Sequence, residues 1–379
     1  MSVAISGLAA LAVAMGIGRF AFTPILPLMQ EDAGLTLAGG GWLASANYAG
    51  YLIGALSVIR GRLRPDFAVR IGLLTIACTT LAMGFEQRFL AWAVLRVLPG
   101  FASAWVLVYM SAWALEKLAS SGRAHLGGIV YAGVGAGIVV AGGTCLVLSA
   151  FHLGSSQAWI ALGAMALAAT VVLWNRVGSA PAGASAAPAA PHVPVGEIPE
   201  FWRLVLCYGA YGLGYIIPAT FLPVMAKQAI ADPRVFGWAW PVVGAAAVLS
   251  TLVAARATRV IGLRGVWIAS NLILAAGALV PIALPTLSGI AIAALCVGGT
   301  FVVLTMVGFQ EARRVAGVHA RTLMAAMTSA FALGQIVGPL LVSGLVGVPG
   351  GFSYALAAAA VPLFLATYAL YMSPERRKR

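Results

Sequence analysis

Residues 16–29 read GIGRFAFTPILPLM, and residues 212–225 read GLGYIIPATFLPVM. At an offset of 196, Gly16-x-Gly18 meets Gly212-x-Gly214, and Leu26-Pro27 and Met29 meet Leu222-Pro223 and Met225. The same offset pairs Trp42 with Trp238 and Arg60 with Arg256. With a slip of one or two residues, Glu116, Gly122 and His125 answer to Glu311, Gly317 and His319. Paired Gly, Pro and Trp at one offset read as a duplicated unit. Duplicated halves are a transporter architecture whose substrate site lies near the midplane between them.

The material around the repeat is membrane material. Of 379 residues, 61% are hydrophobic and 9% charged, against about 25% charged in a soluble domain. Apolar runs of spanning length recur, without the period-two alternation of barrel strands, so the expected fold is all-α. Twelve spans are predicted: 4–29, 41–59, 69–85, 89–115, 126–150 and 158–174, then 201–226, 236–255, 266–284, 289–309, 322–347 and 352–372. The domains follow as an N-terminal six-helix bundle (1–175), an Ala/Pro-rich linker (176–200), a C-terminal six-helix bundle (201–372) and a basic tail (373–379). The first span lacks a basic start and reads as an uncleaved helix.

The net charge of +13 does not point to nucleic acid, because the basic residues lie in short loops between apolar runs. Eighteen of the 23 fall in one set of loops, three in the opposite set, and Arg19 and Arg96 inside helices. The positive-inside rule then places both termini and the linker in the cytoplasm. The Arg- and Ala-rich composition suits a bacterial cytoplasmic (inner) membrane, and a monomer in the bilayer is expected.

Cys78, Cys145, Cys207 and Cys296 lie in apolar spans without CxxC spacing and read as small buried residues. His125, His152, His192 and His319 all fall in loops, no acid sits mid-span, and there is no P-loop. The chain is therefore not expected to be an enzyme or to hold a cofactor or metal. A receptor reading lacks a soluble sensory domain.

Buried Arg is costly, about 2.5–3.5 kcal/mol on insertion scales, and normally faces a cavity or a partner. Arg19 lies near the middle of the first helix with no carboxylate at its depth. It either meets substrate, is structural and bonded to carbonyls of a broken helix, or snorkels outward. Pro24 and Pro27 loosen the outer end of that helix, as a gate needs. The repeat sets Tyr215 against Arg19. The expected substrate contacts are Arg19, Thr23, Asn47, Tyr51, Tyr109, Tyr131, Tyr211, Tyr215 and Gln335, with Asn47 and Tyr51 four apart on one helical face. Two guanidinium groups facing a wet central chamber would favour an anion.

Arg96-Val-Leu-Pro-Gly100 resembles the Arg-x-x-x-Gly motif in the fourth helix of the major facilitator superfamily. That resemblance implies a coupling or gating role for Arg96 and Gly100, beside the alternative of interhelical structure. The stretch Arg60-Gly61-Arg62-Leu63-Arg64 resembles the family's basic loop between the second and third helices, with Asp66 in place of the acid expected beside the glycine. The glycines of the fifth span (127, 128, 133, 135, 137, 142, 143) and Gly334-Gln335-Ile-Val-Gly338-Pro339 suit close helix packing. The Gly-Pro of drug/proton antiporters is absent from the fifth helix. Gly-x-Gly-Arg-Phe-x-x-Thr-Pro-x-Leu-Pro, with twelve spans, is similar to the bacterial YbfB/YjiJ-type branch of that superfamily.

The expected function is a secondary transporter moving a small organic anion by alternating access. Proton coupling is left open, with Glu31, Glu116, Glu311 or the substrate itself as carriers. The alternatives are an efflux carrier for hydrophobic or cationic compounds and, less favoured, a membrane-embedded enzyme or receptor.

Overall fold

A computed structural model describes residues 2–61, 63–177, 200–229, 237–343 and 350–372. Most of the linker and the whole tail lie outside the described residues.

Among them helix is the one kind of regular secondary structure. The first rod has three parts: α1 (Ser2–Leu11), a π-helical stretch (Ala12–Phe20) and α2 (Phe22–Asp32). There follow α3 (Leu37–Arg60), α4 (Pro65–Met83), α5 (Phe89–Ser120), α6 (Gly127–Ala150) and α7 (Ser155–Leu173). Beyond the linker come α8 (Phe201–Ala229), α9 (Ala239–Ala283), α10 (Leu287–Ala316), α11 (Ala320–Ser343) and α12 (Gly351–Tyr371).

Local chemistry sets the helix ends. Thr36 and Thr286 cap α3 and α10 by accepting from the N–H groups of Gly39 and Gly289. Pro65 opens α4 at a position where its missing N–H costs nothing. Gly317, at φ 52°, stops α10, in the left-handed region that favours glycine.

Nine helical stretches among the described residues are long and apolar enough to cross a membrane. Two of them exceed a single crossing. Ala239–Ala283 would run about 68 Å as a straight helix, against a hydrocarbon core of about 30 Å. It breaks at Gly262, where φ is 73° and ψ 169°. Leu287–Leu341 breaks at the 3₁₀ turn Gly317–His319. One expectation is corrected here: residues 256–265, read as a loop, are helical apart from the break at Gly262. Arg256, Arg259 and Arg264 therefore sit on helix rather than in coil.

The polarity is inside-out. Leu249, Val253 and Leu365 are about two-thirds exposed, while Arg19, Asn47, Arg96, Asn271, Glu311 and Gln335 are buried. A lipid solvent permits that distribution and water does not. Trp42 and Trp238, paired in the repeat, are exposed where α3 and α9 begin, as anchors at a membrane interface are.

Helices before residue 177 pack mainly on one another, α3 and α4 on α5, α6 on the first rod, α4 on α7. Those after 200 do the same, α8 with α11 and α12, α9 with α10 and α12. The two sets meet along two main seams, α6 against α9 and α3 against α11. Under the 196-residue offset α3 corresponds to the first half of α9, and α6 to α11, so the seams are images of each other.

Glycine makes these contacts close. A Cβ on Gly137 would strike the backbone of Ala12 and Gly16. Gly143, on the same helix, faces open space. We expect Gly137→Ala to destabilise the protein by about 1–3 kcal/mol through overpacking. Gly143→Ala should be neutral or stabilising by up to about 1 kcal/mol. Thermal unfolding in detergent compares the two directly.

Candidate functional site

The site starts from the irregular first rod. Pro24 has no N–H to give the carbonyl one turn back and its ring crowds that carbonyl. Just before it the chain winds in wide turns from Ala12 to Phe20. Such π-helical turns are rare and frequent at functional sites. They leave main-chain carbonyls aimed at neighbouring helices, and side chains meet them. The Ser103 hydroxyl lies 2.7 Å from the Ala14 carbonyl oxygen. Asn47 Nδ2 donates to the carbonyls of Gly18 (3.4 Å) and Arg96 (3.0 Å). Arg96 Nη1 donates to Gly18 O (3.5 Å) and Nη2 to Arg19 O (3.4 Å). Gly100 lets α5 approach closely enough that any Cβ there would hit the Asn47 carbonyl.

Arg96 therefore takes the arrangement that was one alternative for Arg19, a guanidinium bonded to the carbonyls of a broken helix. Its charge is further covered by Phe22, 4.7 Å from ring centroid to guanidinium carbon, and by Trp159 at 6.0 Å.

Arg19 stands at the end of the wide turns and crosses between the two helix sets. Its Nη2 donates to Gln335 Oε1 of α11 at 2.5 Å. The guanidinium carbon lies 3.7 Å over the Tyr51 ring, with Tyr48 and Phe20 each at 5.7 Å. Nε and Nη1 have no hydrogen-bond partner among the described residues. Only 5% of Arg19 is exposed, and 3% of Arg96. Both side chains point inward, and in this conformation the space around Arg19 is closed and filled by rings rather than open and wet.

On the far side stands an aromatic wall. Phe20 meets Phe301 edge-on at 5.6 Å and Trp240 at 6.4 Å. Tyr215 stacks on Phe301 (5.3 Å, 19°) and on Phe331 (6.3 Å, 26°). Tyr211 joins through Phe331 at 4.9 Å, and its hydroxyl donates to the Phe301 carbonyl at 2.6 Å.

Of the expected contacts, the structure thus brings together Arg19, Tyr51 and Gln335, with Asn47 behind them and Tyr211 and Tyr215 in the wall. Others stand apart. Tyr109 lies under the Arg321 guanidinium at 5.4 Å, and Tyr131 meets Phe309 edge-on at 6.4 Å. Thr23, also among the expected contacts, is exposed. Pro24 and Pro27 are half-buried just beyond. Phe301, Phe331, Trp240 and Ser103 were not foreseen, and nothing in their local sequence marks them.

The acids behave unequally. Glu31 and Glu116 are exposed, while Glu311, the counterpart of Glu116, is wholly buried. Its oxygens accept from Arg264 Nε at 2.5 Å and from Arg314 Nη2 and Nε at 2.7 and 2.8 Å. Arg264 also donates to Glu200 at 2.6 Å. In the basic loop, Asp66 accepts from Arg64 at 3.0 and 3.2 Å. No group of three or more His, Cys, Asp or Glu side chains converges as a metal site among the described residues.

The comparisons agree with this architecture. A search of curated proteins finds no match. Among solved structures, the human organic anion transporter MFSD10 (TETRAN) superposes with a TM-score of 0.73 at 14% identity. That alignment covers 97% of this chain and 99% of the other. At such identity the likeness shows a shared fold. The profile of a family described as "Uncharacterised MFS-type transporter YbfB" matches residues 11–371. The family and the structural neighbour are transporters, not enzymes. With all but the two ends of its sequence matched, the chain belongs to the YbfB-type family of major facilitator superfamily transporters.

Proposed function

We propose that the protein is a secondary transporter of a small organic anion, working by alternating access between two six-helix bundles. The observation that carries this reading is the Arg19 guanidinium. It is buried at the seam between the helix sets, and among the described residues it faces no carboxylate and has two nitrogens without a partner. An unneutralised cation in a dry interior costs free energy until an anion meets it. The fold neighbour's description as an organic anion transporter is in keeping with that.

In the same reading the chain crosses the membrane twelve times, in six and six. The breaks at Gly262 and at Gly317–His319 turn two long stretches into four crossings, and α8 supplies another. The positive-inside bias puts both termini in the cytoplasm of a bacterial inner membrane, with the chain as a monomer. Arg96 and Gly100 hold the wide turns of the first rod, and Pro24 and Pro27 weaken its outer end, so that this rod is the gate. A proton is the candidate driving ion, carried by the substrate itself or by Glu31, Glu116 or Glu311.

Counterflow and equilibrium binding in reconstituted vesicles test the anion site. Arg19→Ala should weaken anion binding roughly 10–100-fold, the worth of charge-assisted hydrogen bonds. Arg19→Lys should recover part of it. The Ala variant should unfold at the same or a higher temperature, because a buried charge has gone. Unchanged affinity in both variants, or stabilisation by lipophilic cations alone, contradicts the reading and favours efflux of cationic compounds.

Arg96 separates holding from coupling. Arg96→Gln keeps donors for the carbonyls and loses the charge. We expect it to lower stability by about 1–3 kcal/mol while leaving the pH profile of transport in place. A flattened pH profile would make Arg96 part of the coupling instead.

A further inference from the structure

We infer that the substrate is an aromatic monocarboxylate, whose carboxylate meets Arg19 and whose ring lies against Phe301, Tyr215 and Phe331. The inference rests on the anion reading above and adds the body and charge number of the ligand.

The single charge follows from where the guanidinium groups face. Arg19 offers Nε and Nη1 without a partner among the described residues. Arg96 leaves its Nε without a partner as well, but its η nitrogens are turned to the Gly18 and Arg19 carbonyls and its guanidinium is covered by Phe22 and Trp159. One cation is therefore presented, and a second carboxylate on the ligand would be buried without a counter-charge. That is strongly unfavourable in a dry interior.

The aromatic body follows from the wall. Phe301, Tyr215 and Phe331 form a ladder of near-parallel faces, at 19° and 26°. Phe20, the residue next to Arg19, meets that ladder edge-on at Phe301. In the wall the Tyr211 hydroxyl is committed to the Phe301 carbonyl, and the Trp240 indole N–H is one donor left without a partner among the described residues. Across Phe301, Tyr215 and Phe331 the wall offers mainly π-faces. Flat rings gain from such faces beyond their buried area, while a polyhydroxylated acid would lose water contacts it cannot replace. A carboxylate on a ring also completes the environment Arg19 already has, since Tyr51 covers the guanidinium at 3.7 Å as a cation–π partner.

Binding to the full chain in lipid nanodiscs, read by calorimetry, tests this with benzoate, phenylacetate, cyclohexanecarboxylate, succinate and benzylamine. We expect benzoate or phenylacetate to bind at least about threefold tighter than cyclohexanecarboxylate, the modest advantage of aromatic over aliphatic contact. Succinate and benzylamine should bind at least tenfold more weakly. Phe301→Leu should erase the aromatic advantage and leave cyclohexanecarboxylate unchanged. Should that variant not fold, Phe331→Leu on the neighbouring helix makes the same comparison. Equal binding of the two ring acids, both lost in Arg19→Ala, overturns the aromatic inference and leaves the anion reading standing. Tight succinate binding that needs Arg19 overturns the single-charge argument alone. Absence of any Arg19-dependent anion binding defeats the anion reading and this inference with it.

Discussion

A buried cation with no carboxylate beside it among the described residues organises the interior of this protein. Arg19 is held by one hydrogen bond to Gln335, from a helix on the other side of the seam, and by the face of Tyr51. Neither contact carries negative charge. The bond is also the kind a carrier can break, because a neutral amide holds a guanidinium less firmly than a carboxylate does. A molecule that must exchange one seam for another gains from contacts that are specific and modest.

The contacts behind Arg19 are of another sort. The wide turns from Ala12 to Phe20 expose carbonyls, and Ser103, Asn47 and Arg96 answer them. Irregular backbone at membrane depth is tolerable only when buried in protein and supplied with partners. The second buried arginine is thus a support for the first. Glu311 shows the complementary solution at one end of the other helix set. There a buried carboxylate is neutralised by Arg264 and Arg314, whereas its counterpart Glu116 lies exposed. The two positions, matched in sequence, are used differently in the two helix sets.

Much of this was legible in the sequence. Apolar runs of spanning length, cut by Gly, Pro and charge, located the helices, and the 196-residue offset relates the two seams once the helices are in place. Arg19 was conspicuous because charge inside an apolar run is expensive. The rest depended on geometry that composition does not encode. The wide turns from Ala12 to Phe20 carry no sequence signal of their own. Residues 256–261 kept winding because Arg stems are good helix formers, and only Gly262 broke the rod. Phe301 and Phe331 are ordinary apolar residues until their helices are laid against α8. Burial of Glu311 became visible only once Arg264, 47 residues earlier, arrived beside it.

The central claim is that the space beside Arg19 opens in turn to each side of the membrane. Tyr48, half-buried with its ring 5.7 Å from the guanidinium, is a suitable reporter. With Cys78, Cys145, Cys207 and Cys296 replaced, a Tyr48→Cys thiol can be challenged with membrane-impermeant reagents from one face at a time, in vesicles of known orientation. The account predicts labelling from both faces, and protection by a bound anion. Labelling from one face alone, or only by a lipid-soluble reagent, would contradict it.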